Sequence, residues 1–565
     1  MKKFFLILTA SLLICFSSKA QNLPYLSDDG HLMVDGKPYL MLAGELHNST
    51  TGSVHNMEPV WKKMADLNIN TVFAAVSWEL LEPEENLFDF TLVDEMIRGC
   101  READLKLVLL WFGSWKNGRS TYAPAWVKTD QKRFPLVCTK DGAKSNTLST
   151  LGKHTLEADS RAFSRLMNHL KEVDGKENTV IMVQLQNEIG TLGTERDYSP
   201  VANKEFKNKV PSELTSWLKT HENELQPPLR DVWVRNGRKM VGTWEEVFGK
   251  GVSGSSDDWQ NEYPYYTEEL FNAWNYATFV GKMAEAGKAE YDLPIYVNAW
   301  LKQPGGKAPG NYPSGAALPH VYDIWRAAAP AIDFYAPDIY AVDVFDWVME
   351  TFSSQNNPIF IPEIESSPSS PARAFYAFGK YDIQCYSPFG IDGGGSMLSA
   401  SAAAQEMFKK AYWVLGNIAP YIIRYQGSDD MTGLYTKEGQ KEDSVNMGKY
   451  TVSIREFSTR RAASLVGAEV GEQAQGRSSS MGVLVIRLAD NEFLVAGGVG
   501  EGVINISLTD KESGKKSGLL SVDEITFDHD GKMLHHRLNG DETGFGGARV
   551  ANGDIKVFKI KMYEY

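Results

Sequence analysis

Short apolar runs alternate with amphipathic stretches along residues 39–426. Eight runs have the length and composition of strands that are buried on both faces: YLMLAGEL from Tyr39, TVFAAVSW from Thr71, LKLVLLWF from Leu105, VIMVQLQNE from Val180, IYVNAW from Ile295, FYAPDIY from Phe334, IFIPEIE from Ile359 and QCYSPF from Gln384. Stretches with helical spacing separate them: Met57–Leu67, Leu92–Ala103, Ser160–Val173, Glu268–Ala286, Tyr322–Ala329, Val344–Phe352, Ala372–Phe378 and Ala402–Leu415. This repeated alternation predicts an α/β fold, a (β/α)8 TIM barrel that occupies residues 21–426.

Two segments depart from the alternation. Residues 191–265 are too long for a simple strand-to-helix connection and carry one predicted helix, Ser212–His221, so we expect an insertion that shapes a binding site. After residue 426 the pattern changes to strand-like alternation, with DNE and HDGK where hairpin turns are expected. Residues 427–565 are therefore predicted to form a smaller all-β C-terminal domain.

The first residues have the pattern of a secretory signal. Two lysines precede an apolar stretch, and Ser18, Lys19 and Ala20 form a small-x-small cleavage pattern. We therefore expect residues 1–20 to be a signal peptide and the protein to be exported to the periplasm or the outside of the cell. Ile14 precedes Cys15 where a lipoprotein signal normally has a small residue, so a lipid anchor is the less favoured alternative.

Composition and charge exclude several kinds of partner. The formal net charge is −14, which disfavours nucleic acid and anionic lipid. Beyond residue 20, no uncharged apolar stretch is long enough to span a membrane. His47 and His55 lie near glutamates, but the sequence contains neither a His-Glu-x-x-His motif nor a Cys-x-x-Cys pair. We therefore expect no metal site.

Two of the apolar runs end on carboxylates. VIMVQLQNE ends at Glu188, and IFIPEIE contains Glu363 and Glu365. In a barrel of this kind the carboxyl ends of the strands carry the active site, and a buried carboxylate is costly unless it is used. Strand alternation predicts that each glutamate shares a face with earlier residues of its strand, namely Gln184, Gln186 and Glu188 in one, and Ile359, Ile361, Glu363 and Glu365 in the other. Two carboxylates that converge over a barrel mouth are what glycoside hydrolysis requires.

The chain resembles glycoside hydrolase family 35, the β-galactosidases. The residues that carry the resemblance are GELHNS (Gly44–Ser49), VSWELLEPEENLFDF (Val76–Phe90), APAWV (Ala123–Val127), IMVQLQNEIG (Ile181–Gly190) and FIPE (Phe360–Glu363). It is particularly similar to a bacterial exported subgroup with an accessory C-terminal β-domain. The resemblance implies a retaining mechanism, whose carboxyl groups stand about 5–5.5 Å apart.

The resemblance also implies residue roles. Glu188 is expected to be the general acid/base and Glu363 the nucleophile, in the fourth and seventh strands. Asn187 would bind the sugar 2-hydroxyl, and Glu45 would shape the subsite of the terminal sugar; for Glu45, a salt bridge that closes the barrel mouth is the alternative. Glu365 is the rival nucleophile, because it is expected to share a face with Glu363.

The sequence departs from the family at two strand ends. Where many members have an Ala-Glu-Trp loop, this chain has WFGSWKNG, so Trp115 is expected to stack on a sugar, and Lys116 or Asn117 to replace the missing carboxylate. The second strand leads into WELLEP, which lacks the usual Asn and His but keeps Trp78, a candidate for sugar contact. Two more aromatic residues at strand ends, Trp300 and Tyr340, are further candidates for sugar contact, with core packing as the alternative for each.

These features predict an exported glycosidase that releases terminal β-linked galactose from oligosaccharides or polysaccharide side chains. A carbohydrate is the expected partner, and no cofactor is expected because two glutamates carry the chemistry. Two alternatives stay open. The same barrel could act on another sugar, such as a β-glucoside or an α-L-arabinopyranoside, or it could be a non-catalytic secreted carbohydrate-binding protein.

Overall fold

The structure is a computed structural model that describes residues 23–251, 260, 266–394, 398–437, 440–456, 480–510, 514–539, 542–543 and 547–565. The predicted signal peptide, residues 1–20, lies outside the described residues. The strands up to residue 426 are β1 (Tyr25–Leu26), β2 (Leu32–Val34), β3 (Lys37–Pro38), β4 (Met41–Glu45), β5 (Thr71–Ser77), β6 (Lys106–Lys116), β7 (Leu136–Cys138), β8 (Lys144–Leu148), β9 (Val180–Asn187), β10 (Ile295–Trp300), β11 (Phe334–Ile339), β12 (Phe360–Ile364) and β13 (Cys385–Pro388).

The helices surround these strands. They are α1 (Val54–Met57), α2 (Val60–Asp66), α3 (Trp78–Leu81), α4 (Thr91–Glu102), α5 (Ala125–Thr129), α6 (Lys153–Asp174), α7 (Pro200–Phe206), α8 (Ser212–Thr220), α9 (Pro227–Arg235), α10 (Trp244–Phe248), α11 (Thr267–Glu290), α12 (Tyr322–Ala328), α13 (Phe345–Phe352), α14 (Ser370–Lys380) and α15 (Ala402–Tyr425). The insertion after β9 contains α7 to α10, whereas the sequence predicted only the helix that begins at Ser212.

Eight parallel strands close into a barrel in the order β4, β5, β6, β9, β10, β11, β12, β13 and back to β4. Each of them corresponds to one of the eight apolar runs, so the predicted TIM barrel is confirmed. Side chains such as Phe73, Leu110 and Phe334 fill the barrel interior. A larger apolar layer lies between the strands and the helices, because strands covered on both sides bury both faces.

The rest of the chain forms two antiparallel sheets. Their strands are β14 (Met431–Tyr435), β15 (Glu442–Met447), β16 (Tyr450–Glu456), β17 (Met481–Ala489), β18 (Glu492–Val499), β19 (Gly502–Leu508), β20 (Ser517–Phe527), β21 (Met533–Leu538), β22 (Ala548–Val550) and β23 (Ile555–Glu564). Six of them pair in the order β14-β17-β18-β23-β20-β21, and four in the order β15-β16-β19-β22. The predicted all-β character is confirmed, with hairpin turns at DNE and HDGK.

The six-stranded sheet is covered on both faces. One face packs on the four-stranded sheet through residues such as Val485 and Phe493. The other face, which includes Leu484 and Leu494, joins the apolar layer of the barrel. Among the helices of the described ranges, we find none with the length and apolarity needed to cross a bilayer.

Candidate active site

The carboxyl ends of the barrel strands bring three carboxylates together. Glu188 follows β9, and Asp338 in β11 pairs in register with Glu363 in β12. One oxygen from each of these three carboxylates lies within 4.8 Å of the other two. All three side chains are buried. The two glutamates predicted from the strand ends therefore meet, and a third acid stands beside them.

Irregular backbone turns these side chains toward the barrel mouth, so the predicted alternation is wrong in both strands. Gln186 has φ +65°, and its amide contacts Asp159 in α6 and Met283 in α11, on the helix side of the barrel. In β12, Ile361 packs in the layer between strands and helices, and the register with β13 shifts before Ile364. A residue in the left-handed region or a bulge interrupts the two-residue period, which a sequence pattern does not reveal.

Glu188 is held by hydrogen bonds and has a raised pKa. Its backbone N–H donates to Asn298 Oδ1 at 2.9 Å, and Asn117 Nδ2 donates to its Oε2. Burial and the nearby Glu363 raise the pKa of Glu188 to about 7, against the opposing effect of Lys116. A carboxyl group with this pKa can give up a proton and take it back near neutrality.

Glu363 has one anchored oxygen and one oxygen without a partner. Tyr340 donates its hydroxyl hydrogen to Glu363 Oε1 at 2.5 Å. Glu363 Oε2 is buried and has no hydrogen-bond partner among the described residues. A carboxylate fixed through one oxygen, with the other directed into the site, has the arrangement that a nucleophile requires.

Lys116 supplies positive charge to this cluster. It is buried, and its neighbour across the sheet in register is Asn187, whose side-chain amide lies 3.0 Å from Lys116 Nζ. Burial alone would lower the pKa of Lys116, but the carboxylates around it outweigh burial and raise that pKa. These carboxylates are Glu363, Glu188, Glu45 and Asp338. Lys116 and Asn117 therefore lie at the site, as the sequence predicted.

Glu45 also lies at this end of the barrel. It is buried, and no hydrogen-bond partner is found for its Oε1 within the described part of the chain. Burial, and then Glu363, raise the pKa of Glu45 well above its usual value. Unpartnered buried acceptors suit a ligand that is rich in hydroxyl groups, because each hydroxyl can donate one hydrogen bond.

Asn298 and Asp338 lie at the site but were not among the residues predicted there from the sequence. Asn298 Nδ2 donates to Asp338 Oδ2 at 2.6 Å, and it lies 3.3 Å from the side-chain amide of Asn187. Asn298 therefore connects the residue before Glu188 to the third acid. Asn298 and Asp338 lie in predicted barrel strands. Each is two positions before an aromatic residue that was predicted to be at the site, Trp300 and Tyr340 respectively. That spacing was the available signal, because residues two apart in a regular strand face the same way.

Two predicted sugar contacts are corrected. Trp115 is fully buried, with its N–H bonded to the carbonyl oxygen of Leu148 at 3.0 Å and its ring against Tyr276 and Phe279 of α11. Trp78 is also fully buried, and its N–H donates to Glu82 at 2.8 Å. Neither ring can stack on a sugar in this structure, because the surrounding core and helix layer already cover both.

Trp300 and Glu365 have different surroundings. Trp300 is partly exposed and pairs in register with Asp338, so it lies at the rim of the site. Glu365, the rival nucleophile, accepts a hydrogen bond from Arg373 at 3.0 Å and another from the backbone of Ser367. Its charge is thus already paired with a cation on α14, outside the three-carboxylate cluster.

The cluster does not have the composition of a calcium or magnesium site. The ammonium group of Lys116 already lies among its carboxylates, and an ammonium group repels a metal cation and has no lone pair to bind it. The residues present fit a carbohydrate better than a metal ion. Carboxyl groups, amides and an ammonium group together offer the donors and acceptors that sugar hydroxyls require.

Comparison with protein families matches two parts of the chain. Residues 50–302 match the beta-galactosidase model of glycoside hydrolase family 42. Residues 408–548 match a domain of unknown function. The first match covers less than half of the chain and shows that residues 50–302 are similar to beta-galactosidases. The finer assignment to family 35 stays a prediction, since the matched model is that of family 42.

Two individual relatives are named as a beta-galactosidase and a beta-galactosidase-like protein. The chain is similar to a beta-galactosidase of Xanthomonas manihotis, 26% identical over 171 residues, which is 29% of this chain and 26% of that protein. It is similar to human beta-galactosidase-1-like protein 3, 26% identical over 190 residues, 30% of this chain and 26% of that protein. The chain thus spans about a quarter of the length of these curated relatives. Among solved structures, the beta-galactosidase of Marinomonas ef1 has a TM-score of 0.45 and 11% identity, covering 67% of this chain and 60% of that chain.

Proposed function

We propose that the protein is a retaining glycoside hydrolase that releases terminal β-linked galactose, with Glu188 as general acid/base and Glu363 as nucleophile. The observation that carries the proposal is the meeting of two buried glutamates, from the fourth and seventh barrel strands, with carboxylate oxygens within 4.8 Å of each other. A short separation leaves no room for a water between them, which supports retention of configuration.

The proposed reaction has two displacements. Glu363 attacks the anomeric carbon while Glu188 gives its proton to the glycosidic oxygen, so that the alcohol leaves and a glycosyl ester forms on Glu363. Glu188, now ionised, takes a proton from water; the water oxygen attacks the anomeric carbon, and the bond to Glu363 breaks. Tyr340 and Lys116 would stabilise the negative charge of Glu363 before attack and after release.

The pKa of Glu188 supports its role as the acid. With a pKa of about 7, this group is about half protonated in a neutral solution and mostly protonated in a weakly acidic one. Glu363 accepts a hydrogen bond from Tyr340 and lies in the same cluster as the ammonium group of Lys116, so both can stabilise the negative charge of a nucleophile. The surroundings of the two glutamates thus differ in the direction that a double displacement needs.

Galactose is proposed as the sugar because the matched family model and one named relative are beta-galactosidases, and a second relative is named as beta-galactosidase-like. A second candidate keeps the mechanism and changes the sugar to a glucoside or an arabinopyranoside. The position of Lys116 supports this second candidate, because many members of the resembled family have a carboxylate at that position.

Export to the periplasm or the cell exterior is also part of the proposal. Mass spectrometry of the mature N-terminus would test it by showing whether residues 1–20 have been removed.

The test is hydrolysis of a panel of aryl β-galactosides, β-glucosides and α-L-arabinopyranosides by the mature protein. We expect the galactoside to be cleaved fastest, with the first sugar product in the β-configuration by NMR. Glu188→Gln and Glu363→Gln should each reduce kcat by a factor on the order of 10³ or more without lowering the melting temperature. Glu365→Gln serves as the matched control and should keep most activity.

A different result would contradict each part of the proposal: the sugar, the nucleophile and the enzymatic function. Faster cleavage of another glycoside would replace galactose and keep the mechanism. Full activity of Glu363→Gln together with loss in Glu365→Gln would move the nucleophile. Absence of hydrolysis across the panel by the folded protein would reject the enzymatic function and favour carbohydrate binding without catalysis.

A further inference from the structure

Asp338 has no task in a mechanism that uses two carboxylates, although it lies between them. Only 3% of its surface is exposed. Its Oδ2 accepts a hydrogen bond from Asn298 Nδ2 at 2.6 Å, whereas its Oδ1 has no partner among the described residues. Oδ1 is therefore the atom of Asp338 that is available to carry a proton.

The second carboxyl oxygen of Glu188 is available to accept a hydrogen bond from a protonated Asp338. Asn117 donates to Glu188 Oε2, which leaves Oε1 for another donor. The nearest oxygens of Asp338 and Glu188 lie within 4.8 Å of each other. Two buried carboxyl groups this close repel when both are ionised, whereas one can donate a hydrogen bond to the other when it carries a proton.

The balance of charge in the cluster also requires protons. Glu45, Glu188, Asp338 and Glu363 are all buried, and Lys116 is the cation that acts on them. The proposed chemistry needs Glu363 ionised and Glu188 protonated, which leaves one positive and one negative charge if Asp338 and Glu45 are neutral. A third ionised acid would add an unpaired buried charge, at a cost of several kcal/mol.

Resting on the proposed function, we propose that Asp338 is a positioning residue that stays protonated in the working enzyme and donates a hydrogen bond to Glu188. This bond strengthens when Glu188 gives its proton to the leaving group, because a donor binds a carboxylate more strongly than a carboxylic acid. Asp338 therefore stabilises the ionised form of Glu188 that the first step produces. No proton leaves Asp338 at any stage.

The titratable groups near Asp338 favour its neutral form. Burial raises the pKa of Asp338 well above its usual value, and the carboxylates Glu363, Glu188 and Glu45 raise it further. The titratable and charged groups that face Asp338 from the surrounding strands are Glu45 in β4, Lys116 in β6, Glu188 after β9, Tyr296 in β10, Tyr340 after β11 and Glu363 in β12. Lys116 is the cation among them, and it is shared by four acids.

Two substitutions separate a neutral Asp338 from an ionised one. In Asp338→Asn, the amide nitrogen can donate to Glu188 while the amide oxygen accepts from Asn298, so the variant mimics a protonated acid. We expect the alkaline pKa of kcat/KM for phenyl β-D-galactopyranoside, a substrate whose leaving group needs an acid, to stay within about 0.3 units of wild type. Asp338→Ala removes the donor, so this pKa should rise by about one unit and kcat should fall at least ~10-fold.

The matched control is Asp323→Asn, which changes another buried carboxyl group that bonds Gln226 and Gln355 instead of the cluster. It should leave the alkaline pKa unchanged even if the melting temperature falls. A drop of one unit or more in Asp338→Asn would overturn the inference, because removal of a negative charge lowers the pKa of Glu188. An unchanged profile in Asp338→Ala would overturn it as well.

Infrared spectroscopy tests the same proton without any substrate. At pH 7 the difference spectrum of wild type minus Asp338→Asn should contain the C=O stretch of a protonated carboxyl group. A carboxylate band in its place would overturn the inference. If the wild-type protein hydrolyses no glycoside of the panel, the proposed function fails, and this spectrum still decides whether Asp338 holds a proton.

Discussion

At the scale of single residues, the proton on Glu188 links the chemistry to stability. Because burial raises the pKa of Glu188 from 4.5 to about 7, the folded protein keeps a proton that the unfolded chain releases between these values. The stability that this proton confers is complete below pH 4.5 and is lost as the pH rises to 7. The loss amounts to about 3 kcal/mol at most.

Glu188→Gln should therefore stabilise the protein increasingly as the pH rises. We expect the variant to unfold at a higher urea concentration than wild type at pH 7.5, and the difference between the two to be smaller at pH 5. Glu58→Gln, at an exposed position, is the control and should show no such trend. Parallel pH profiles for wild type and Glu188→Gln would contradict this assignment of the proton.

The residues of the site were predictable where chemistry alone identified them. A glutamate at the end of an apolar run is conspicuous in a sequence, and Glu188 and Glu363 were both found by that signal. Trp115 was placed wrongly, because the register between β6 and β9 shifts after Trp111 and the ring turns to the helix layer. After a register shift, the direction of a side chain depends on how its strand pairs with the neighbouring strand. The local sequence pattern carries no information about that pairing.

At the scale of secondary-structure elements, close contacts join the C-terminal sheet to α14, the helix after the proposed nucleophile. A Cβ atom at Gly482 of β17 would lie 1.9 Å from the carbonyl oxygen of Ala372, and one at Gly433 of β14 would lie 2.3 Å from that of Tyr376. Arg373 of the same helix donates to Glu365 at 3.0 Å and to the hydroxyl of Tyr435 at 3.2 Å. The backbones of the sheet and the helix are thus in direct contact.

Gly482→Ala should separate these two elements. The added methyl group has no space, so we expect a loss of about 2 kcal/mol in unfolding free energy, measured by urea denaturation. Gly52→Ala is the matched control, since a Cβ atom there meets nothing within 4 Å. A Gly482→Ala protein as stable as wild type would show that β17 and α14 can move apart without cost.

The elements themselves were largely predictable. Eight apolar runs became eight barrel strands, and the period of two in the last part of the chain predicted its strands. The insertion was underpredicted, since α7, α9 and α10 are short helices of five to nine residues. Short helices are stable only through tertiary packing, and their local sequence signal is correspondingly weak.

At the scale of the whole molecule, the barrel and the C-terminal sheets share an apolar layer. Leu484, Leu494 and Val557 belong to the same buried cluster as the barrel helices, while the opposite face of their sheet packs on the second sheet. A sheet covered on both faces leaves a large apolar surface exposed when one cover is removed.

A chain that ends at residue 426 should therefore be poorly soluble or melt well below the full chain. Size-exclusion chromatography and thermal unfolding of the two proteins would measure this. Lys449→Ala, which breaks only the exposed ion pair with Glu564, is the control and should behave as wild type. A monomeric truncated barrel with an unchanged melting temperature would show that the C-terminal sheets contribute nothing to its stability.

The sequence by itself determined the barrel, the all-β character of the last part and the two glutamates, because periodicity and strand-end chemistry are local properties of the chain. Only the tertiary structure decided that Asp338 and Asn298 meet those glutamates, and that Trp78 and Trp115 do not. These residues lie between positions 78 and 338 of the chain. The distances between them depend on how eight strands close and where their register shifts. Closure of the barrel brings together side chains far apart in the chain, and burial among them fixes where the protons lie.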